Sequence, residues 1–338
     1  MSLFLACLGA CSNQDSISLG AADGGGAGGT TTRLPVGGIS TSPQTQTGGS
    51  PRPQTSSGGA TGTAATGGTI GKPFPRIDDS PTLRSVSGLG PYQYESYDRG
   101  FPIADKAFSS GTIFYPTSAT PPFAAIALCP GFTEVELGFL TWGMVLASHG
   151  MVALVLTPKD TGGDSPEKRG DELLAALDTL VSENVRSHGP LQGMIATDRL
   201  GVMGHSMGGG GALFACNKAS ERLKAVVPLM PWQPGGTFPN CTAPTLVVAA
   251  QKDGLVSPEG MAYPEYQSLS ATDKVYMNVK GADHNTGNDI SGGDNIYARY
   301  ALSWLKVHLE DDSRYLQFIS GDAHQADVAA NVFVKFVP

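Results

Sequence analysis

The stretch Gly204-His205-Ser206-Met207-Gly208, continued by Gly209, Gly210 and Gly211, decides how this chain is read. An apolar run at 200–203 leads into it, and a helix-forming run at 212–219 follows. Strand, G-x-S-x-G, helix is the layout of a nucleophile elbow. The sharp turn strains the serine and leaves room only for small neighbours, hence glycine at 204 and 208. Gly209 and Gly210 let the following helix approach the sheet closely. Glycine and serine are common, so the pentapeptide alone is a weak signal. The strand before it and the helix after it make it specific.

A serine hydroxyl is a weak nucleophile until a base takes its proton, and that base needs an orienting acid. Downstream of an elbow the order is serine, acid, histidine. Of the six histidines, His149 and His188 precede the serine, and His205 belongs to the elbow and points away from the nucleophile. His308 falls in an amphipathic run at 300–309 and His324 in a polar tail segment. His284 remains, in the loop Gly281-Ala282-Asp283-His284-Asn285-Thr286-Gly287 after a strand at 275–279. The acid should end a buried strand. The run 245–250 is closed by Gln251-Lys252-Asp253-Gly254, which points to Asp253; Asp283 is the alternative, but sequence neighbours rarely face each other. An acyl-transfer site also needs two oxyanion donors. One is the backbone N–H of Met207; the other belongs to Pro130-Gly131-Phe132-Thr133, after a strand at 123–129, with Phe132 as the donor. His205 and Asn285 are assigned to substrate contacts.

Apolar runs at 111–116, 123–129, 151–157, 199–203, 224–230, 244–250 and 274–279 alternate with helical stretches at 138–149, 169–182, 207–219, 260–271 and 295–309. Such alternation predicts a mostly parallel sheet of about eight or nine strands covered by helices on both faces, the α/β-hydrolase fold, here without a lid. Residues 73–338 form one such catalytic domain, a normal length for the class.

With the elbow, the candidate triad and the oxyanion loop identified, the chain resembles the bacterial cutinase and PET hydrolase-like polyester hydrolases from about Pro81 to Tyr315. The resemblance is carried by Gly111-Thr112-Ile113-Phe114-Tyr115-Pro116, Pro130-Gly131-Phe132-Thr133, Leu146-Ala147-Ser148-His149-Gly150, Leu173-Leu174-Ala175-Ala176-Leu177, the elbow with its glycines, Pro231-Trp232 and Asp311-Asp312-Ser313-Arg314-Tyr315. It implies a serine esterase acting on PET-like or cutin-like polyesters, with Ser206, Asp253 and His284 as triad. It also implies that Phe132 and Trp232 clamp the acyl part of the polymer, each ring contact worth ~1 kcal/mol beyond area burial. The chain departs from the family twice. Residues 312–338 hold no cysteine to close the tail with a disulfide, and Ala250 and Thr286 stand where some members have a bridge near the site. His205 resembles the thermophilic cutinase branch.

The first 72 residues have another character. Residues 1–19 read as a signal segment in which Leu8-Gly9-Ala10-Cys11 is a lipobox, with Cys11 the acylated residue. Residues 20–72 are a disordered linker: 36 of the 52 positions 20–71 are Gly, Thr, Ser or Pro, too few apolar groups to bury a core. As a coil it would span ~40 Å. Secretion or lipid anchoring at the cell surface, and a monomer, are the expectations. A net charge of −8 argues against nucleic acid as a partner. No His/Cys cluster has metal-ligand spacing and no dinucleotide motif follows a strand, so no catalytic metal or cofactor is expected; the acidic surface leaves a structural calcium open. Two readings compete: a lipase or short-chain carboxylesterase of the same fold, and a non-catalytic surface-binding protein on this scaffold. Cys129, Cys216 and Cys241 remain in the catalytic domain. Three buried thiols are the simpler expectation; a Cys216–Cys241 bridge, at the face of the sheet away from the site, is the other.

Overall fold

The structure, a computed structural model, describes residues 80–338 apart from 289, 292 and 293. The signal, lipobox and linker expectations therefore lie outside the described residues. Nine strands form one sheet: β1 (Tyr94–Tyr97), β2 (Ser110–Pro116), β3 (Phe123–Cys129), β4 (Val152–Thr157), β5 (Ile195–His205), β6 (Leu223–Leu229), β7 (Thr245–Ala250), β8 (Lys274–Val279) and β9 (Phe333–Val337). Their order is β1-β2-β4-β3-β5-β6-β7-β8-β9. The six strands from β4 to β8 run parallel, while β1 and β2 at one edge and β9 at the other are antiparallel. The helices are α1 (Leu83–Val86), α2 (Leu140–Ser148), α3 (Pro166–Val185), α4 (Met207–Ala219), α5 (Tyr263–Ser268), α6 (Ile296–Glu310) and α7 (Asp322–Ala329). This is the α/β-hydrolase architecture.

The central strands carry no polar face because both faces are covered. Every residue of β3, β4 and β7 is buried. Ile126 and Leu128 of β3 meet Trp142 and Leu146 of α2 and Tyr300 and Trp304 of α6. Their neighbours Ala125 and Ala127 meet Leu173 and Leu177 of α3 and Leu213 of α4. Each fully buried Leu or Val in these layers contributes ~1.5–3 kcal/mol relative to exposure. After β3 the chain steps outward to β4; after β5 it steps the other way, to β6. The crevice above the C-terminal ends of β3 and β5 is thus a topological switch point, where open α/β sheets place ligands.

The structure departs from the sequence reading in four places. Both edge strands β1 and β9, and the helix α7, were unread. The stretch 260–271 is not one helix: a π turn (Pro258–Ala262) precedes the six-residue α5. The expectation of three thiols is corrected. Cys216 and Cys241 are bridged, Cα atoms 4.9 Å apart, tying α4 to the loop before β7 and leaving Cys129 as the buried free thiol. The tail around His324 is not a polar appendage. The Tyr300 hydroxyl donates to Asp327 Oδ2 (3.0 Å) and so accepts from His324 Nδ1 (2.8 Å). Arg299 pairs with Asp327 at 3.0 Å, and the rings of Phe333 and Phe336 close over Tyr300 and His324.

Candidate active site

The elbow stands at the end of β5 with Ser206 at φ 54° and ψ −119°, a conformation costly for any residue with a side chain. Backbone bonds hold it from three sides. The Ser206 N–H donates to Leu229 O (2.9 Å), and its carbonyl accepts from Gly210 (2.9 Å) and Trp232 (2.8 Å). A Cβ on Gly208 would come within 2.1 Å of the Cys129 carbonyl oxygen, so only glycine lets α4 start this close to β3.

Three candidate side chains converge from the ends of three strands. His284 Nε2 lies 2.9 Å from Ser206 Oγ, and His284 Nδ1 lies 2.7 Å from Asp253 Oδ2. The other Asp253 oxygen accepts the N–H groups of Leu255 (2.8 Å) and Val256 (2.7 Å). An ionised carboxylate only accepts, so the proton sits on Nδ1 and the Nε2 lone pair faces the serine. Ser206, His284 and Asp253 are all at least nine-tenths buried. Asp283 turns away, accepting from Asn285 N–H (3.1 Å) and Thr286 Oγ1 (2.8 Å) at the surface. The geometry can take a proton from Ser206 Oγ and stabilise the imidazolium that results.

Phe132 is half exposed at the rim, and Met207 opens α4 beside the serine, where the helix dipole favours negative charge. The amides flanking Phe132 are engaged. Gly131 N–H donates to Glu134 (2.6 Å) and Thr133 N–H to Thr161 O (2.8 Å). Among the described residues neither Phe132 nor Met207 donates its amide to a protein group, so both N–H groups are available to a substrate oxygen. Trp232 is half-buried, its body against the core and its position at the rim. Asn285 is exposed beside His284. His205 is the exception: it is 1 % exposed, and its Nε2 faces the His284 carbonyl at 2.7 Å. Its ring sits behind the histidine loop, so the assignment of His205 to direct substrate contact is corrected to one of support.

Two supporting residues escaped the sequence reading. Arg169 of α3 is fully buried, and its guanidinium donates to the carbonyls of Pro130 (2.8 Å), Gly131 (2.8 Å) and Thr161 (2.7 Å). It holds the oxyanion loop and the β4–α3 loop in one piece. Glu172, one turn along α3, accepts from Lys159 N–H (2.7 Å); burial pushes its carboxyl up to about 7. Trp142 of α2 lies in the core, and its indole N–H also donates to Gly287 O (2.9 Å), anchoring the histidine loop. Neither the Arg169 nor the Trp142 role carries a local signal, because the partners are backbone carbonyls on other segments. Among the described residues no group of three or more His, Cys, Asp or Glu is placed to hold a metal ion.

A family model described as PET hydrolase-like matches residues 77–335, spanning both core layers and the site. A bis(hydroxyethyl) terephthalate hydrolase of Streptomyces coelicolor is 39% identical over 243 residues, 71% of this chain and 75% of that protein. Cutinase 1 of Thermobifida cellulosilytica is 35% identical over 238 residues, 70% of this chain and 86% of that protein. A cutinase of Thermobifida fusca is 35% identical over 238 residues, 70% of this chain and 75% of that protein. With the elbow on β5 and a match that runs through nearly all the described residues, the chain belongs to the PET hydrolase-like family.

Proposed function

We propose that this protein is a serine esterase that hydrolyses polyesters through an acyl-enzyme. The observation that carries the proposal is the hydrogen-bonded chain Ser206–His284–Asp253, at 2.9 and 2.7 Å, beneath a half-exposed Phe132. Ser206 Oγ attacks the ester carbonyl carbon as His284 Nε2 takes its proton. The N–H groups of Phe132 and Met207 bind the oxyanion, each such donor worth ~3 kcal/mol. The alkoxide leaves with the proton from His284. Water then attacks the acyl-enzyme by the same route, giving the acid and restoring Ser206.

Polymer as substrate is supported by the relatives, whose names are cutinase and bis(hydroxyethyl) terephthalate hydrolase, and by the apolar rim. Phe132, Val135, Leu137 and Leu255 are all exposed on the loops that carry the oxyanion donor and Asp253. Trp232 lies on the loop that follows β6. Such a surface suits a flat apolar solid better than a charged metabolite. The chain acts without a cofactor, as a monomer, secreted or held at the bacterial surface through Cys11. Among the described residues no helix is long and apolar enough to cross a membrane.

The test is release of acids from polyester film, with a soluble p-nitrophenyl ester as reference and fluorophosphonate labelling of the serine. Ser206→Ala should lose labelling and on the order of 10⁶ in kcat while keeping its fold and its adsorption to film. Near-normal turnover by the purified variant would overturn the proposal.

A further inference from the structure

The oxyanion loop and the histidine loop are separate segments, yet one carboxylate touches both. Glu134 Oε2 accepts the Gly131 N–H at 2.6 Å, one residue before the Phe132 amide. Its Oε1 accepts from Asn288 Nδ2 at 3.1 Å, four residues after His284. Oε2 also stands 3.7 Å from Nδ1 of the buried His205. The opposite nitrogen of that ring, Nε2, faces the His284 carbonyl oxygen at 2.7 Å. A carbonyl can only accept, so Nε2 carries a hydrogen and Nδ1 is turned to the carboxylate. A Cβ on Gly131 would meet Glu134 Oε2 at 2.9 Å and His205 Nδ1 at 3.2 Å, so the loop has glycine where the carboxylate fills the space.

Two further features show that the loop needs holding. Thr133, β-branched, sits at φ 61°, a left-handed conformation that persists only where the surroundings over-determine it. Arg169 fixes the loop's carbonyls, but among the described residues none of its hydrogen bonds reaches the histidine loop. Glu134 supplies the lateral tie.

Resting on the esterase reading above, we propose that Glu134 is a positioning residue: through Gly131 and Asn288 it sets the distance between the oxyanion donors and the general base. The reacting groups sit on opposite sides of this tie. Slackening it would cost turnover more than ground-state binding, because misplacement by ~1 Å is felt in the transition state.

The experiment begins with fluorophosphonate labelling of the wild-type protein; failure there sinks the esterase reading itself. Given labelling, kcat and KM for a soluble p-nitrophenyl ester are measured for Glu134→Ala and Glu134→Gln. Glu134→Ala should lower kcat ~10- to 100-fold with KM changed by no more than about twofold. Glu134→Gln still offers an oxygen to Gly131 and, once the Asn288 amide turns over, an N–H to Asn288 Oδ1, and should recover most of the lost kcat. A folded Glu134→Ala with wild-type kcat overturns the proposal. If that variant does not fold, Glu134→Asp, too short to reach both loops, decides instead, and wild-type kcat in it overturns the proposal.

Discussion

The catalytic end of the sheet and its β8–β9 edge are built on different terms. At the catalytic end a strained serine and a left-handed threonine are pinned by backbone hydrogen bonds, close glycine contacts and the buried Arg169. At the edge, β9 and α7 are held by ring contacts and one buried ion pair, Arg299–Asp327, with Tyr300 and His324 joined to it. The first end meets a chemical specification that few residue types satisfy. The second must only bury area and pair its polar groups, which many sequences can do. Damage at the first should therefore appear in kcat, and damage at the second in stability alone.

The sharpest break should come at Arg169. Arg169→Met removes the guanidinium from three loop carbonyls and leaves the Phe132 amide unguided. It should lower kcat on a soluble ester by on the order of 10²–10³, the scale of losing one oxyanion donor. A variant with wild-type kcat and only a lower Tm would make Arg169 a packing residue and erase the contrast.

Glu265 of α5 tests the same contrast through pH. Both its oxygens are buried without a partner, and burial alone raises its carboxyl to about 9. Its folded pKa lies above the unfolded value, so its contribution to stability is whole below pH ~4.5 and is lost as pH rises through 9. The loss can reach ~1.4 kcal/mol per pH unit inside that window. Glu265→Gln should flatten the fall of Tm with pH and leave the pH–activity profile unmoved. Parallel Tm curves for the two proteins would refute the assignment.

At the edge, Asp327→Ala strands a buried guanidinium and removes the acceptor of Tyr300. A loss of ~3 kcal/mol in urea unfolding, with unchanged kcat, is expected. A matching drop in kcat would show that the tail is coupled to the site.

The smallest effect belongs to Trp232 at the rim. Trp232→Ala should reduce release from polyester film about fivefold, ~1 kcal/mol of lost ring contact, and spare a small aliphatic ester. Equal losses on both substrates would assign the side chain to the core it partly touches.

The same contrast explains what could be read in advance. Seven strands were visible because strands buried on both faces are uninterrupted apolar runs, as in Phe123–Cys129. The strands β1 and β9 were not, because they are short edge strands, only partly buried, and carry charged residues such as Glu95 and Lys335. Ser206, Asp253 and His284 stood out because each must be that residue type after a strand. Arg169 looked like one more charge on a helix, since nothing in a sequence marks a side chain whose partners are backbone carbonyls. Glu134 was hidden for a related reason: its partners lie on two loops about 150 residues apart.

Cys129 ends β3 immediately before the oxyanion loop. With Cys216 and Cys241 bridged, it is the free thiol among the described residues. Burial pushes it up to about 12, so almost none of it is the reactive thiolate while the protein stays closed. Alkylation at this position must therefore wait for an opening of the strand beside the nucleophile. Measured by mass on its own peptide, the modification rate reports how often the catalytic end opens. A phosphonate bound to Ser206 should slow it if that opening involves the site.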